Sequence, residues 1–561
     1  MPKRALLLTL ALGAALFLFA NRAAYRCYFH PDDYVALGRV VATPAGSDLW
    51  DLVSLTVAEA NPRPLGTLFY RLMDGAAGMN FGWWILAIHV LHLFVVAGLC
   101  LLFIESGIAP LGAAAGAMLF LYHSAVLHLY WRPSAVYDLL CGVFCVLSLL
   151  AYMKGRWVVS FLLFLLALKA KEVACMLPLV LAYYEARLGA QRWRRLVPFF
   201  AVAFWLGLQA AVVWEDKNEE YSLSVGPQTL PQTAFFYFRH LFKTPALALA
   251  VLAFFWRRKD SRLRFGLAAF GLLMIPMLLL PQRMSGAFLY VPLLGFCMAV
   301  AAAAERLRPA YVALFFVVWW AWGYAQLRPY RSREFLAGAE SRSFFTTLAA
   351  HARANPGDRT FAYEAMPSRF HREAMEGAVR YACRRGDAQA SFLDLSKTKP
   401  DFWLQPVTVL GWDLAEKKLF VLSRDPLKPY PSRIKLDGST PVWALGEGWK
   451  DPEPRFRWTL AKAYATLDRP EHARGFTITL NVGPDQAKSR GGAGVRVFAG
   501  EGLLGEAEFH ETGWKTARWD LKPAPPGPVV IRLETPERYQ MPRAGMAPMG
   551  VAVMEFGFTT Q

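Results

Sequence analysis

Charged residues are few in this 561-residue sequence, 19% of the total, and acidic ones fewer still, 43 against 61 lysines and arginines. So little charge beside 55% hydrophobic residues excludes an ordinary water-soluble chain. Cysteine is sparse at seven, most of it inside apolar runs. Cys27 and Cys383 are the two placed to face an oxidising compartment, and the sequence does not pair them. No Walker-type glycine loop is present, and the pair Gly491-Gly492 lies in the polar part of the chain. Internal repeats of broken helices, which a transporter would carry, are not detectable.

What is there is apolar and long. Uncharged runs such as Phe81 to Ile104, Leu196 to Trp214 and Tyr311 to Gln326 approach or exceed the ~20 residues a helix needs to cross hydrocarbon. The net charge of +18 invites a nucleic-acid partner, but the placement of the cations argues against one. They form short patches between apolar runs: Lys3 and Arg4; Lys154 and Arg156; Arg187 with Arg192, Arg194 and Arg195; Arg257, Arg258 and Lys259; Arg306 and Arg308. Every second loop is basic, the pattern of cytoplasmic loops.

That alternation predicts about eleven spans, near 5–21, 81–104, 108–130, 134–153, 157–169, 172–186, 196–214, 233–256, 264–280, 286–304 and 309–326. An odd number puts the N-terminus in the cytoplasm and the C-terminal region outside, as in a bacterial inner membrane with a periplasmic domain. The first run has the basic start of a signal peptide, but without a small-x-small cleavage site before Asn21 it reads as an uncleaved span. The expected organisation is a multi-span domain over 1–328 with a first outer loop at 21–80, then an outer α/β region over 329–438 and a β-sandwich over 439–561.

The first outer loop carries Phe29-His30-Pro31-Asp32-Asp33-Tyr34 directly after span one, and Pro62-Arg63-Pro64-Leu65 later. Two adjacent acids at a membrane surface fit either a helix cap beginning near Tyr34 or a general base with a neighbour that tunes it. His89 and His92 share one helical face in span two, where packed, hydrogen-bonded imidazoles compete with a metal site. Span three ends in Tyr122-His123-Ser124-Ala125, followed by His128, Trp131, Arg132 and Asp138. Lys169, Lys171 and Glu172 near the outer ends of spans five and six, and Arg283 before span ten, read either as side chains snorkelling to the interface or as a phosphate-binding group. No metal is assigned. The cofactor is unknown, with a divalent metal the one candidate.

In this order the elements resemble the multi-spanning glycosyltransferases of the C-type fold, GT-C, which use polyprenyl- or dolichyl-phosphate sugars. The resemblance covers about 330 residues. It rests on Asp32-Asp33-Tyr34, Arg63-Pro64-Leu65, His89-Val-Leu-His92, and His123-Ser-Ala-Val126 through Trp131 to Tyr137-Asp138-Leu-Leu140. Leu168-Lys-Ala-Lys171-Glu172-Val-Ala174 and Phe288-Leu-Tyr-Val-Pro292, with Tyr290, complete it. Where the family usually has His-Pro, this chain has His123-Ser124. The resemblance implies Asp32 or Asp33 as catalytic base, Asp138 as helper, and the cations as donor-phosphate ligands. Its expected partners are the bilayer, a lipid-phosphate-linked sugar, and a protein, lipid or glycan acceptor, and no nucleic acid. An Asp base would deprotonate the acceptor as it attacks the anomeric carbon, with inversion, while the phosphate leaves as an anion.

After Pro329 the chain turns polar. Helical patterns at Phe344 to Ala354 and His371 to Arg384 and a strand at Lys418 to Ser423 predict a small α/β unit. From Ser439, strands at Phe476 to Val482, Val495 to Ala499, Trp514 to Leu521, Val529 to Leu533 and Val551 to Phe558, punctuated by Gly and Pro, predict the sandwich. The segments around Trp449 and Gly550 resemble sandwich modules attached to bacterial polysaccharide and glycosylation enzymes. Trp449, Trp458, Trp514 and Trp519 are expected either in its core or stacked on sugar rings.

Overall fold

The computed structural model describes residues 3–217, 223–224, 226–242, 260–395, 397–398, 400–543 and 546–560. It divides into two compact units, Met1–Gly338 and Ala339–Gln561.

The first unit is a multi-pass membrane domain. Among the described residues, six helices are long and apolar enough to cross a bilayer, seven when the bent pair Pro110–Leu121 and Ser124–Trp131 is counted as one span. The longest apolar one before the chain's last span, α5 (Phe81–Glu105), has 25 residues and meets its first charge only at Glu105. At 1.5 Å per residue it reaches ~37 Å, enough for a hydrocarbon core. The eleven expected spans all have helical counterparts, though Trp157–Ala170, Leu177–Arg187 and Leu293–Ala304, at 14, 11 and 12 residues, are shorter than the six or seven that qualify by length. Part of the span expected at 233–256, and the basic patch 257–259, lie outside the described residues.

The short helix Leu293–Ala304 is buried along nearly its whole length because its neighbours come unusually close. A Cβ on Gly266 would lie 2.5 Å from the backbone of Ala299, and one on Gly116 2.6 Å from that of Cys297. Small residues at such contacts let backbones pack where lipid offers no hydrophobic drive.

Between α1 (Lys3–Asn21) and α5 lie three short helices: α2 (Pro31–Ala42), α3 (Ala45–Val53) and α4 (Pro64–Ala77). They are held by a buried polar knot. Asp48 accepts from Arg71 at 2.9 and 2.5 Å and from Asn61 at 3.1 Å, and Asn61 accepts from Thr67 at 2.8 Å. Later elements of this unit used below are α6 (Pro110–Leu121), α7 (Val136–Met153), α8 (Trp157–Ala170) and the turn Glu172–Met176.

The span expected at 309–326 and the helix expected at Phe344 to Ala354 are a single 46-residue helix, Pro309–Ala354, that begins in the first unit and ends in the second. Pro329 sits inside it. The ring forfeits one backbone hydrogen bond, yet its fixed φ is helical, so the helix continues.

In the second unit, β1 (Thr360–Tyr363) lies between β2 (Gln389–Phe392) and β3 (Val407–Asp413), parallel to both, and β4 (Lys418–Arg424) adds antiparallel to β3. The crossover helix Arg372–Cys383 buries Ala374, Met375, Ala378 and Val379, a helical spacing. The remainder is strand-rich: β5 (Arg433–Lys435), β6 (Trp449–Pro452), β7 (Arg457–Leu460), β8 (Lys462–Arg469), β9 (Gly475–Val482), β10 (Ala493–Ala499), β11 (Gly502–Phe509), β12 (Gly513–Asp520), β13 (Gly527–Glu534), β14 (Met541–Arg543) and β15 (Met546–Thr559). One sheet runs β11-β10-β13-β8 and the other β12-β9-β15-β7-β6, with β5 and β14 also on β15. Alternate residues of both sheets, Leu467, Val497 and Ile531 from one and Ile478, Leu480 and Val553 from the other, share one buried core.

Candidate active site at the first loop

The site begins with a helix start. Pro31 occupies the first turn of α2, where its missing N–H costs nothing, and the cap is His30 rather than an aspartate. The His30 backbone N–H donates to Asp33 Oδ2 at 2.6 Å, and the Asp32 N–H donates weakly to His30 Nδ1 at 3.4 Å. This is a capping box, and it drives the two aspartates into opposite environments. Asp33 points inward, fully buried, and also accepts from the Tyr70 hydroxyl of α4 at 2.6 Å. Asp32 faces outward, its side chain 57% exposed and 3.3 Å from His30 Nδ1.

Burial pushes the Asp33 carboxyl up to about 7, with the Tyr70 and His30 hydrogen bonds and the Arg132 charge working in the other direction. His30 is lowered, chiefly by burial, with its contact to Asp32 opposing.

Behind this pair runs a chain of polar contacts. Tyr137 of α7 lies 6.4 Å from the Tyr70 ring and nearly parallel to it, and the Arg63 guanidinium stands 5.7 Å from its centroid. That fit requires Gly66, since a Cβ there would fall 2.1 Å from the Tyr137 ring. Arg63, just before α4, donates twice to Glu172, at 3.0 and 2.5 Å. Lys171 turns the other way and donates to Asp138 at 2.6 Å, its ammonium 4.9 Å from the Phe288 ring.

Lys169, at the end of α8, is buried and donates to the Thr56 carbonyl at 2.8 Å. It lines a small cleft of about 20 Å³ with Glu172 and the apolar walls Val57, Pro62, Leu168, Leu206 and Ala210. Thus three of the four expected phosphate ligands cluster by sequence, but two are engaged by opposite charges and Lys169 by a neutral carbonyl. Arg283 is half-buried in the connection after the helix Ser261–Leu278.

The histidines serve helix packing. His89 Nε2 is 2.9 Å from the Tyr130 carbonyl and its Nδ1 3.0 Å from the Tyr25 hydroxyl; His92 Nδ1 is 2.9 Å from the Tyr290 hydroxyl and Nε2 3.5 Å from the Leu121 carbonyl. Each carbonyl needs an N–H and each hydroxyl donates to the remaining nitrogen, so both rings are fully used. His123 caps the segment after α6 through its Nδ1, which accepts from the Ala125 N–H at 3.3 Å. Among the described residues, no group of three His, Cys, Asp or Glu stands close enough to hold a metal ion.

Two residues of the site carried no earlier assignment. Tyr70 has no sequence signal beyond its place on a short amphipathic helix. Glu334, which takes both arms of Arg132 at 3.2 and 2.7 Å, lies some two hundred residues away in sequence and was invisible to local patterns.

No protein-family model and no curated protein matches this chain. Among solved structures it is similar to the arabinofuranosyltransferase AftD from Mycobacteria, at 12% identity and TM-score 0.45, over 100% of this chain and 59% of that one. The chain therefore spans less than two thirds of the AftD chain. It is also similar to ArnT from Cupriavidus metallidurans bound to undecaprenyl phosphate, at 13% identity and TM-score 0.48, over 76% of this chain and 99% of that one. The apo form of the same ArnT aligns at 13% identity and TM-score 0.47, over 74% and 98%. None of these likenesses assigns a role to a residue here.

Proposed function

We propose that this protein is a membrane glycosyltransferase that moves a sugar from a polyprenyl-phosphate-type carrier to an acceptor hydroxyl, with inversion, and that Asp32 is its base. The observation that carries the reading is the division of the aspartate pair. Asp33 is committed to the capping box and to Tyr70, whereas the Asp32 side chain is 57% exposed beside His30. An exposed carboxylate on a rigid helix start is placed to take a proton from an acceptor arriving from water.

In the proposed reaction the acceptor oxygen attacks the anomeric carbon as Asp32 takes its proton, and the bond from that carbon to the carrier phosphate breaks. The phosphate leaves with the electron pair and needs a cation. Lys169 fits that role: it lines the apolar cleft, and its hydrogen-bond partner there is a neutral carbonyl. A lipid phosphate presents the same combination of one charge and an apolar tail. Arg63 and Glu172 hold the loop against this cleft, and Lys171 with Asp138 fixes the turn after α8.

The same reading takes all eleven helical segments as crossings, with the N-terminus cytoplasmic. It places the first loop and the second unit outside, and treats 439–561 as a β-sandwich module.

The test is release of labelled sugar from a polyprenyl-phosphate carrier in membranes holding wild type, Asp32→Asn or Asp33→Asn at equal expression. Asp32→Asn is expected to lose on the order of 10²-fold or more in turnover with unchanged thermal stability, and Asp33→Asn to keep measurable turnover. Full activity in Asp32→Asn rejects that residue as base. Absence of turnover in the wild type across carriers and acceptors favours a non-catalytic or transport role in glycan export.

A further inference from the structure

The outer face of the larger sheet in the second unit carries an arrangement that the membrane chemistry does not use. Pairing across four strands places Trp458 of β7 opposite Ala552 of β15, Ala552 opposite Asn481 of β9, and Asn481 opposite Trp514 of β12. Paired residues in antiparallel strands project from the same face, so these four form one row. Phe456 stands between the two tryptophans, its ring centroid 6.2 Å from Trp458 and 5.7 Å from Trp514, with edge-on contacts to both. Trp514 remains 41% exposed.

Beside this aromatic row runs a polar one. Glu555 of β15 pairs with Thr479 of β9, and Thr479 with Thr516 of β12. The two threonine hydroxyls are 2.9 Å apart at the surface, and Glu555 is held by Arg433 at 2.8 Å, with both side chains partly exposed. The core explains neither row. Leu480 and Ile478, the alternate residues of β9, face inward, and the inner tryptophan, Trp449, is buried and stacked on Phe556.

We infer that this face is a binding site for a neutral pyranose-containing glycan. The ligand chemistry follows from the pairing of rows. A pyranose ring has an apolar C–H face that stacks on an aromatic plane and an edge of hydroxyls that both donate and accept. Here the row of Trp458, Asn481 and Trp514, with Phe456 between the tryptophans, lies two residues along β9 from the hydroxyl, carboxylate and guanidinium groups, so one sugar chain along the row meets both kinds of contact. The Arg433–Glu555 pair supplies donors and acceptors with no net charge, which suits a neutral ligand rather than a phosphorylated or acidic one. A peptide added as a strand would use a free sheet edge and its backbone, not this face. The inference is independent of the base assigned to the transferase reaction.

The experiment uses the full chain in lipid nanodiscs free of sugar detergents, titrated calorimetrically with maltohexaose, cellohexaose and a linear mannohexaose. The expected result is weak binding of at least one of them, lowered about tenfold or more by Trp514→Ala and by Trp458→Ala. Phe392→Ala, an exposed aromatic in the α/β part, should leave it unchanged. Trp514 is exposed, so thermal unfolding of Trp514→Ala should match wild type, while the half-buried Trp458 is compared with Trp458→Phe, which keeps an aromatic ring in place. Failure of all three oligosaccharides to bind, or equal binding by both tryptophan variants, overturns the proposal. So does sedimentation showing that Trp514→Ala dissociates a wild-type dimer, which would give the face to a second copy of the chain.

Discussion

At the start of α2 two adjacent carboxyls meet opposite surroundings, and their chemistry separates accordingly. Asp33 is raised to about 7 by burial, against an unfolded value of ~3.9. The folded state therefore binds the extra proton across that window. Its contribution to stability is present below about pH 4 and is lost as pH rises through about 7. Asp33→Asn, which keeps one oxygen for the His30 N–H and turns its NH2 toward the Tyr70 hydroxyl as a donor, is expected to gain several degrees in melting temperature over wild type at pH 7.5 and to show little difference at pH 4.5. Thermal unfolding in nanodiscs at both values checks this. The dipeptide Asp32-Asp33 was legible in the sequence as a site, but which acid serves as cap was not, because that depends on Tyr70, 37 positions away on α4.

At the scale of elements, ion pairs tie the loop helices and the turn after α8 to their neighbours. The Lys171–Asp138 pair is buried at both ends. Removing one partner strands the other charge, so Lys171→Met is expected to cost about 3–5 kcal/mol, and Lys171→Met with Asp138→Asn to recover most of it. Thermal unfolding of the single and double variants measures this. Turnover that stays lost in the double variant would mark the pair as part of the reaction as well as the scaffold. Helix positions were readable from apolar runs, and the strands of the second unit from period-two alternation. Continuity of Pro309–Ala354 through Pro329 was not readable, since a proline more often marks a helix boundary than lies within one.

For the whole molecule, the number of true crossings decides which side the second unit occupies. Six or seven helices qualify by length and composition among the described residues, while eleven crossings are proposed. Ten crossings after the first loop would leave that loop and the second unit on the same side. Single cysteines replacing Ser47 in the first loop and Lys397 in the second unit, in a background lacking the seven native cysteines, should both react with a membrane-impermeant maleimide from outside. One replacing Arg194 should react only after permeabilisation. Cys100, Cys141, Cys145, Cys175, Cys297 and Cys383 are free thiols, so replacing them breaks no disulfide. Labelling of the Ser47 and Lys397 positions from opposite sides would mean an odd number of crossings between them.

The amino-acid sequence by itself determined that this is a multi-span protein with a polar, strand-rich C-terminal part, because burying apolar runs in lipid and alternating residues across a sheet are local rules written in order along the chain. It also placed several of the chemically notable residues near the ends of apolar runs. Only the tertiary structure decided their partners. Arg63 meets Glu172, Lys171 meets Asp138, Arg132 meets Glu334, and His92 meets Tyr290, each across many tens of residues. Such pairings depend on how helices cross, which no local period encodes.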